Sequence, residues 1–264
     1  MHKEPKILSK NRALVIAHFH STGKVRSDTI NFLKECEGTF KKVIFVSTNL
    51  SIDEKVKIPK FIECHVRENI GYDFFSYRLG LEQLFEDIKG KNGMENTIDQ
   101  VTVMNTSFLI FDPKNFLKTY FNEGLGKNDF YGLTMHPGPS VYPHLQSFLL
   151  TFNKAILQDS RVTKWWRRMV HYEEKSLIIK KYEIGLTKYL NDLGYKSTPI
   201  FPLNQQSKYA DPMHGQFLEI LNKYSILKIG VFVVNPFNLS MNSLNIKIKE
   251  SAFFKGLIIE GIEN

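Results

Sequence analysis

The chain has 264 residues, 42% of them apolar, which suits one large α/β core and excludes wholesale disorder. A formal net charge of +8 favours anionic partners, yet the lysines are scattered and zinc-finger spacing is missing, which sets nucleic-acid binding aside. Apolar runs fall short of the ~18–20 residues that span a bilayer, and the opening MHKEPKILSK lacks the apolar core of a signal peptide.

In chain order, residues 12–20 (RALVIAHFH) read as a buried strand that ends in polar residues. Residues 27–40 read as a helix, with Ile30, Leu33 and Phe40 near helical spacing and Ser27 or Asp28 as its cap. KKVIFVSTN (41–49) is a second buried strand, and FIECHVREN (61–69) a third with polar alternation. A helix over 74–88 puts Phe74, Tyr77, Leu81, Leu84, Phe85 and Ile88 on one stripe. QVTVMNTSFLIF (100–111) is a fourth strand, interrupted at Asn105-Thr106-Ser107. A short helix over 113–124 follows, then strands over 129–136 and 144–153 joined by the loop HPGPSVYPH. Helical segments fill 153–193, and the tail mixes loops with EILNKYSILKIGVFVVNPF. Cys36 and Cys64 show no metal spacing and read as reduced, buried thiols of a cytosolic protein.

Strands that alternate with helices through residue 120 predict right-handed βαβ units. The expected fold class is therefore α/β, Rossmann-related, with a mostly parallel central sheet flanked by helices. Ligands of such sheets bind beyond the carboxyl ends of the strands. Three polar clusters fall there and are expected to converge: 18–23, 68–73 and 105–107.

The segment Asn69-Ile70-Gly71-Tyr72-Asp73 opens a helix. Gly71 permits a tight turn or close approach to a ligand. Asp73 is either the helix N-cap or an acceptor for ligand hydroxyls. Arg67 is either a surface arginine or a counter-charge to a phosphate near the helix terminus. His18 and His20 lie on one face of the first strand and read as part of a pocket floor rather than a metal pair. Trp165-Trp166-Arg167-Arg168 reads either as tryptophans packed on the sheet or as an interfacial membrane contact.

ENIGYDFFSYRLGL, VMNTSFLIF, HLQSFLLTF, YEIGLTKYLNDLGY and DPMHGQFLEIL…VNP occur in an order that resembles the rhamnan synthesis protein F family of bacterial polysaccharide biosynthesis. The resemblance spans roughly residues 12–237. It implies a GT-A-like glycosyltransferase domain over 1–240 with a helical C-terminal extension and a tail over 241–264. The implied activity moves rhamnose or a hexose such as galactose from a nucleotide donor (dTDP-rhamnose or a UDP-hexose) to a lipid-linked or polysaccharide acceptor. The protein would be cytoplasmic, or peripheral on the inner face of the membrane. The resemblance also implies roles for residues. Glu183 would be the catalytic base. His18, Asn69, Gly71, Asp73, Asn105, Ser107 and His214 would bind the donor, and His144 and Gln146 the acceptor. Such folds carry an acidic motif after the fourth strand that holds magnesium or manganese. Here that position reads Asn105-Thr106-Ser107, so Asn105 and His214 are the remaining candidate ligands for a cation. The missing carboxylate raises an alternative: a catalytically silent, sugar-nucleotide- or glycan-binding scaffold of a polysaccharide-synthesis complex.

Overall fold

The structure, a computed structural model, describes residues 11–89, 98–127, 129–203 and 211–233. The expected tail over 241–264 lies outside the described residues. The strands in chain order are β1 (Arg12–His18), β2 (Lys42–Ser47), β3 (Glu63–Val66), β4 (Gln100–Asn105), β5 (Phe108–Ile110) and β6 (Phe130–Gly132). They continue with β7 (Met135–His136), β8 (His144–Leu145), β9 (Leu149–Asn153), β10 (Ser197–Pro199) and β11 (Ile226–Lys228). Seven of them form the main sheet in the order β10-β6-β9-β4-β1-β2-β3. The pairs β1–β2, β1–β4, β2–β3 and β6–β10 are parallel, whereas β9 runs antiparallel to both β4 and β6.

β1 is apolar without alternation because both of its faces are covered. Leu14 and Ile16 enter one core; Ala13, Val15 and Ala17 enter the other. The first core takes its cover from α1 (Ser27–Glu35) and α4 (Pro113–Glu123). A short helix, α2 (Ile52–Lys55), is capped by Ser51, whose side chain accepts from the Glu54 N–H. The second core is covered by α3 (Tyr72–Lys89), α5 (Lys154–Gln158) and α6 (Ser160–Arg167). It is completed by α7 (Lys175–Ile178), a π-helix (Ile179–Ile184) and α8 (Gly185–Asp192). Helix α3 lies so close to β1 that a Cβ on Gly80 would come within 2.3 Å of Val15 Cγ1. The C-terminal helices α9 (Pro212–Gly215), α10 (Phe217–Tyr224) and α11 (Gly230–Val233) fold back rather than extending away: Met213, Ile220 and Tyr224 lie in the first core. Among the described residues, no helix is long and apolar enough to cross a membrane.

Two elements differ from the sequence reading. The fourth strand divides at Asn105-Thr106-Ser107. The Asn105 N–H donates to Phe148 O and the Thr106 N–H to Ala17 O, after which β5 leaves the sheet and pairs antiparallel with β11. Ser27 and Asp28 do not cap α1, whose N-cap position is Arg26. The Asp28 carboxylate instead accepts from Arg26 Nε at 2.9 Å and from the Ile110 N–H at 3.1 Å, which fastens α1 to β5.

His18, at the end of β1, is a buried member of this framework. Its Nδ1 lies 2.9 Å from Ser47 Oγ, its Nε2 lies 3.2 Å from Lys24 O, and its ring packs on Phe45 at 5.1 Å. Burial, reinforced by the charge of Arg26, pushes its pKa down to about 4. Between that value and the unfolded value of 6.5, the unfolded chain binds the proton and the folded chain does not. His18 therefore favours the fold fully above about pH 6.5, and this advantage, roughly 3 kcal/mol, is lost as pH falls to about 4. Denaturant titrations from pH 8 to pH 4 are expected to show an acid decline that His18→Gln makes shallower by one proton.

Candidate functional site

The turn that opens α3 is backbone-strained. Gly71 has φ +70° and Tyr72 has φ +52°. The left-handed region costs a residue with a Cβ about 1–2 kcal/mol. Arg67 offsets this cost. Its guanidinium donates to the carbonyls of Glu68 (2.7 Å), Ile70 and Tyr72, and its Nε donates to Ser76 Oγ at 2.9 Å. Arg67 is thus a brace for the turn rather than a spare counter-charge. Lysine cannot supply such a fork, so Arg67→Lys is expected to lose about 1–3 kcal/mol of stability, read by denaturant melts. Amide exchange is expected to quicken over residues 70–76.

The braced turn sets Asp73 against the carboxyl end of the central strand β4. Asp73 sits inside the first turn of α3, not at its cap, and its Oδ2 accepts from Asn105 Nδ2 at 2.7 Å. Burial raises the Asp73 carboxyl above its usual range, and the charge of Glu183 pushes the same way. The Asn105 bond, Arg67 and Lys228 oppose the rise. The other end of the Asn105 amide is also engaged: Oδ1 accepts from Ser107 Oγ at 2.6 Å and from the Ser107 N–H at 3.1 Å. Asn105 therefore links the two expected polar clusters, 68–73 and 105–107, into one wall.

A second carboxylate comes from the π-helix, which packs on α3 through Tyr182 and Phe74, their ring centroids 5.8 Å apart. The π-helix carries Glu183, whose Oε1 accepts from the Ser147 N–H at 3.0 Å, while the Ser147 carbonyl accepts from the Tyr77 hydroxyl at 3.0 Å. The Ser147 peptide is clamped at both ends, which fixes the Glu183 carboxylate. Wide π turns recur at functional sites because they re-aim a side chain without ending a helix.

Cations come from the C-terminal segment. The Ile229 N–H donates to Ser107 O at 3.0 Å, which brings Lys228 to the wall. Lys228 Nζ lies 4.9 Å from the Phe148 ring centroid, and its charge acts on both Asp73 and Asp211. Asp211 caps α9 through the Met213 N–H at 2.9 Å and pairs with His214 Nδ1 at 2.8 Å. Burial pushes the Asp211 carboxyl up, but the His214 bond and Lys228 together hold it below its usual value.

The remaining expected site residues are distributed around this wall. Asn69 is exposed on the turn and Gly71 is buried beneath it. A Cβ on Gly71 would strike the Phe75 ring at 2.1 Å. Gln146 and His144 are buried. Gln146 Oε1 accepts from Thr134 Oγ1 at 2.6 Å, and His144 stacks on His136 at 5.3 Å with its Nδ1 2.8 Å from Tyr142 O. Burial, then the charge of His144, holds His136 below its ordinary pKa, against Asp211 and Glu183. His18 points into the framework described above. Sequence reasoning missed Lys228 and Asp211. A lone cation inside the apolar run SILKIGVF, and an Asp-Pro pair suited to N-cap and N1 positions, were the available signals.

Among the described residues, the donor set does not fit a divalent-cation cage. Hard cations want several oxygens, preferably charged. Among the described residues, no group of three or more His, Cys, Asp or Glu is placed to hold a metal ion. The oxygen of Asn105, one of the two expected ligands, is taken by Ser107, and the Nδ1 of the other, His214, faces Asp211.

The family model described as rhamnan synthesis protein F matches residues 43–260. Virulence protein VirA of Vibrio anguillarum is 32% identical over 146 residues, which is 54% of this chain and 43% of that protein. An uncharacterized protein, y4gN, of Sinorhizobium fredii is 30% identical over 145 residues, 52% of this chain and 35% of that one. The chain spans less than half the length of these curated relatives. Among solved structures, the 4-diphosphocytidyl-2C-methyl-D-erythritol synthase of Anaerococcus prevotii aligns with a TM-score of 0.43 at 12% identity, over 84% of this chain and 98% of that one. The mannosyltransferase PcManGT of Pyrobaculum calidifontis, solved with GDP-Man and Mn2+, aligns with a TM-score of 0.41 at 9% identity, over 84% of this chain and 67% of that one.

Proposed function

We propose that this chain, which belongs to the rhamnan synthesis protein F family, is a glycosyltransferase of bacterial cell-surface glycan synthesis. It moves rhamnose or a hexose such as galactose from a dTDP- or UDP-linked donor to a lipid-linked or polysaccharide acceptor. The observation that carries the reading is the meeting of two carboxylates, Asp73 and Glu183, around the Asn105–Ser107 wall at the carboxyl end of β4.

In this reading the Asp73–Asn105–Ser107 wall orients the donor, with Asp73 accepting from its hydroxyls. The acceptor hydroxyl oxygen attacks the anomeric carbon, and the bond from that carbon to the phosphate oxygen breaks. The electron pair leaves on the diphosphate. Glu183 takes the hydroxyl proton; its bond from Ser147 orients it, and its second oxygen is free among the described residues. Lys228 supplies positive charge to the leaving diphosphate, and His214 assists its departure. Lys228→Ala is expected to weaken nucleotide-diphosphate binding about tenfold, with little loss of stability, measured by calorimetric titration with UDP and dTDP.

The commitment of Asn105 to Ser107 and Asp73 favours one rival, a silent sugar-nucleotide- or glycan-binding scaffold. Glu183→Gln separates the two readings. Loss of transfer with binding retained supports the enzyme; unchanged behaviour in a chain that binds donor but never transfers supports the scaffold.

A further inference from the structure

A second concave site lies on the outer side of the π-helix. It is a groove of about 500 Å3, lined by Lys181 and Tyr182 but not by Glu183. Its floor is aromatic. Trp165 stacks on Tyr189 with centroids 6.1 Å apart and 19° between the planes, and Tyr182 meets Trp165 edge-on at 5.8 Å. Tyr172 packs 5.9 Å from Tyr182. The Tyr182 hydroxyl accepts from the Val170 N–H at 2.7 Å and donates to the Val170 carbonyl at 2.6 Å. This pair of hydrogen bonds pins the loop after α6 to the π-helix, so the groove is preformed.

The rim is cationic. Lys164, Arg168 and Lys181 are exposed and line the groove. Arg161 also lines it but is neutralised by Asp159 at 2.6 Å. Among the described residues, no aspartate or glutamate lines the groove. Like charges held together without a carboxylate call for an anion, and guanidinium groups favour phosphate and carboxylate oxygens. The aromatic floor suits the C–H face of a sugar ring. A bilayer does not fit: it needs a protruding apolar face, and Val170 is the only groove residue among the exposed large hydrophobic side chains.

We infer that this groove is a second binding site, for a saccharide unit that carries a phosphate or a carboxylate. The inference does not depend on sugar transfer, because binding is read without any nucleotide. Both tryptophans of the chain report on it: Trp165 lines the groove and Trp166 sits behind it, 5.1 Å away.

Tryptophan emission should therefore be titrated with glucose 1-phosphate, glucuronate, glucose and inorganic phosphate, and with phosphatidylglycerol vesicles. One or both anionic sugars are expected to give a saturable change, with glucose and inorganic phosphate each at least tenfold weaker. A response to glucose 1-phosphate alone assigns a sugar phosphate, and a response to glucuronate alone assigns an acidic sugar. The double variant Lys164→Gln/Arg168→Gln, altered only at exposed positions and checked for an unchanged Tm, is expected to bind at least tenfold more weakly. Binding that survives in the double variant overturns the inference, since the ligand then sits elsewhere. Equal binding of glucose, equal binding of inorganic phosphate, or a response to vesicles alone overturns it as well.

Discussion

Glu183→Gln is expected to slow glycosyl transfer by about 10²–10⁴-fold, the usual contribution of a positioned general base. The amide keeps an oxygen where Oε1 accepts from the Ser147 N–H, so the clamp on that peptide survives and the melting temperature should hold. Donor binding should also hold, because the wall proposed to orient the donor is built from Asp73, Asn105 and Ser107. The loss should therefore appear in kcat rather than in KM. A kcat within threefold of wild type would remove Glu183 from the chemistry.

Trp166→Ala is expected to cost about 3–5 kcal/mol, the range for deleting a large buried aromatic. Trp166 is 1% exposed and lies at the centre of the second core. It stacks on Phe74 at 6.1 Å and meets Phe152 edge-on at 6.4 Å. Phe74 follows Asp73 directly, so the cavity would also loosen the first turn of α3 and blur the site. The neighbouring Arg168→Ala, at an exposed position, should change stability by no more than about 0.5 kcal/mol. Comparable losses for both variants, in denaturant unfolding, would contradict this division of the Trp-Trp-Arg-Arg segment.

That segment shows where pattern reading succeeds and where it stops. Helical spacing turns neighbouring residues about 100° apart, so Trp166 enters the core while Trp165 reaches the groove; composition alone left both readings open. β1, β2 and α3 were legible because continuous apolar runs and a helical stripe encode burial directly. The polar breaks were legible too, since unpartnered polar residues inside apolar strands mark strand ends. Their meeting is partial. Asp73 joins Asn105, but His18 turns inward to Ser47 and Lys24. The four-residue helix at Ile52–Lys55 is too short to show a period. The place of Lys228 at the wall was not legible, because it depends on β11 pairing with β5 across more than a hundred residues of sequence. The π-helix around Glu183 has no residue pattern of its own; only the clamp on Ser147 reveals which way that carboxylate faces.

The proposed function requires the Asp73–Asn105–Ser107 wall to hold a nucleotide sugar. Thermal denaturation of wild type and Asp73→Ala is measured against dTDP-rhamnose, UDP-galactose and UDP-glucose, with and without manganese. Ligand that binds only the native state at 100 times its Kd stabilises by about 2.7 kcal/mol. A rise in Tm for wild type with at least one donor, lost in Asp73→Ala, is the predicted result. No rise with any donor, or an equal rise in both proteins, would rule out nucleotide-sugar binding at this wall.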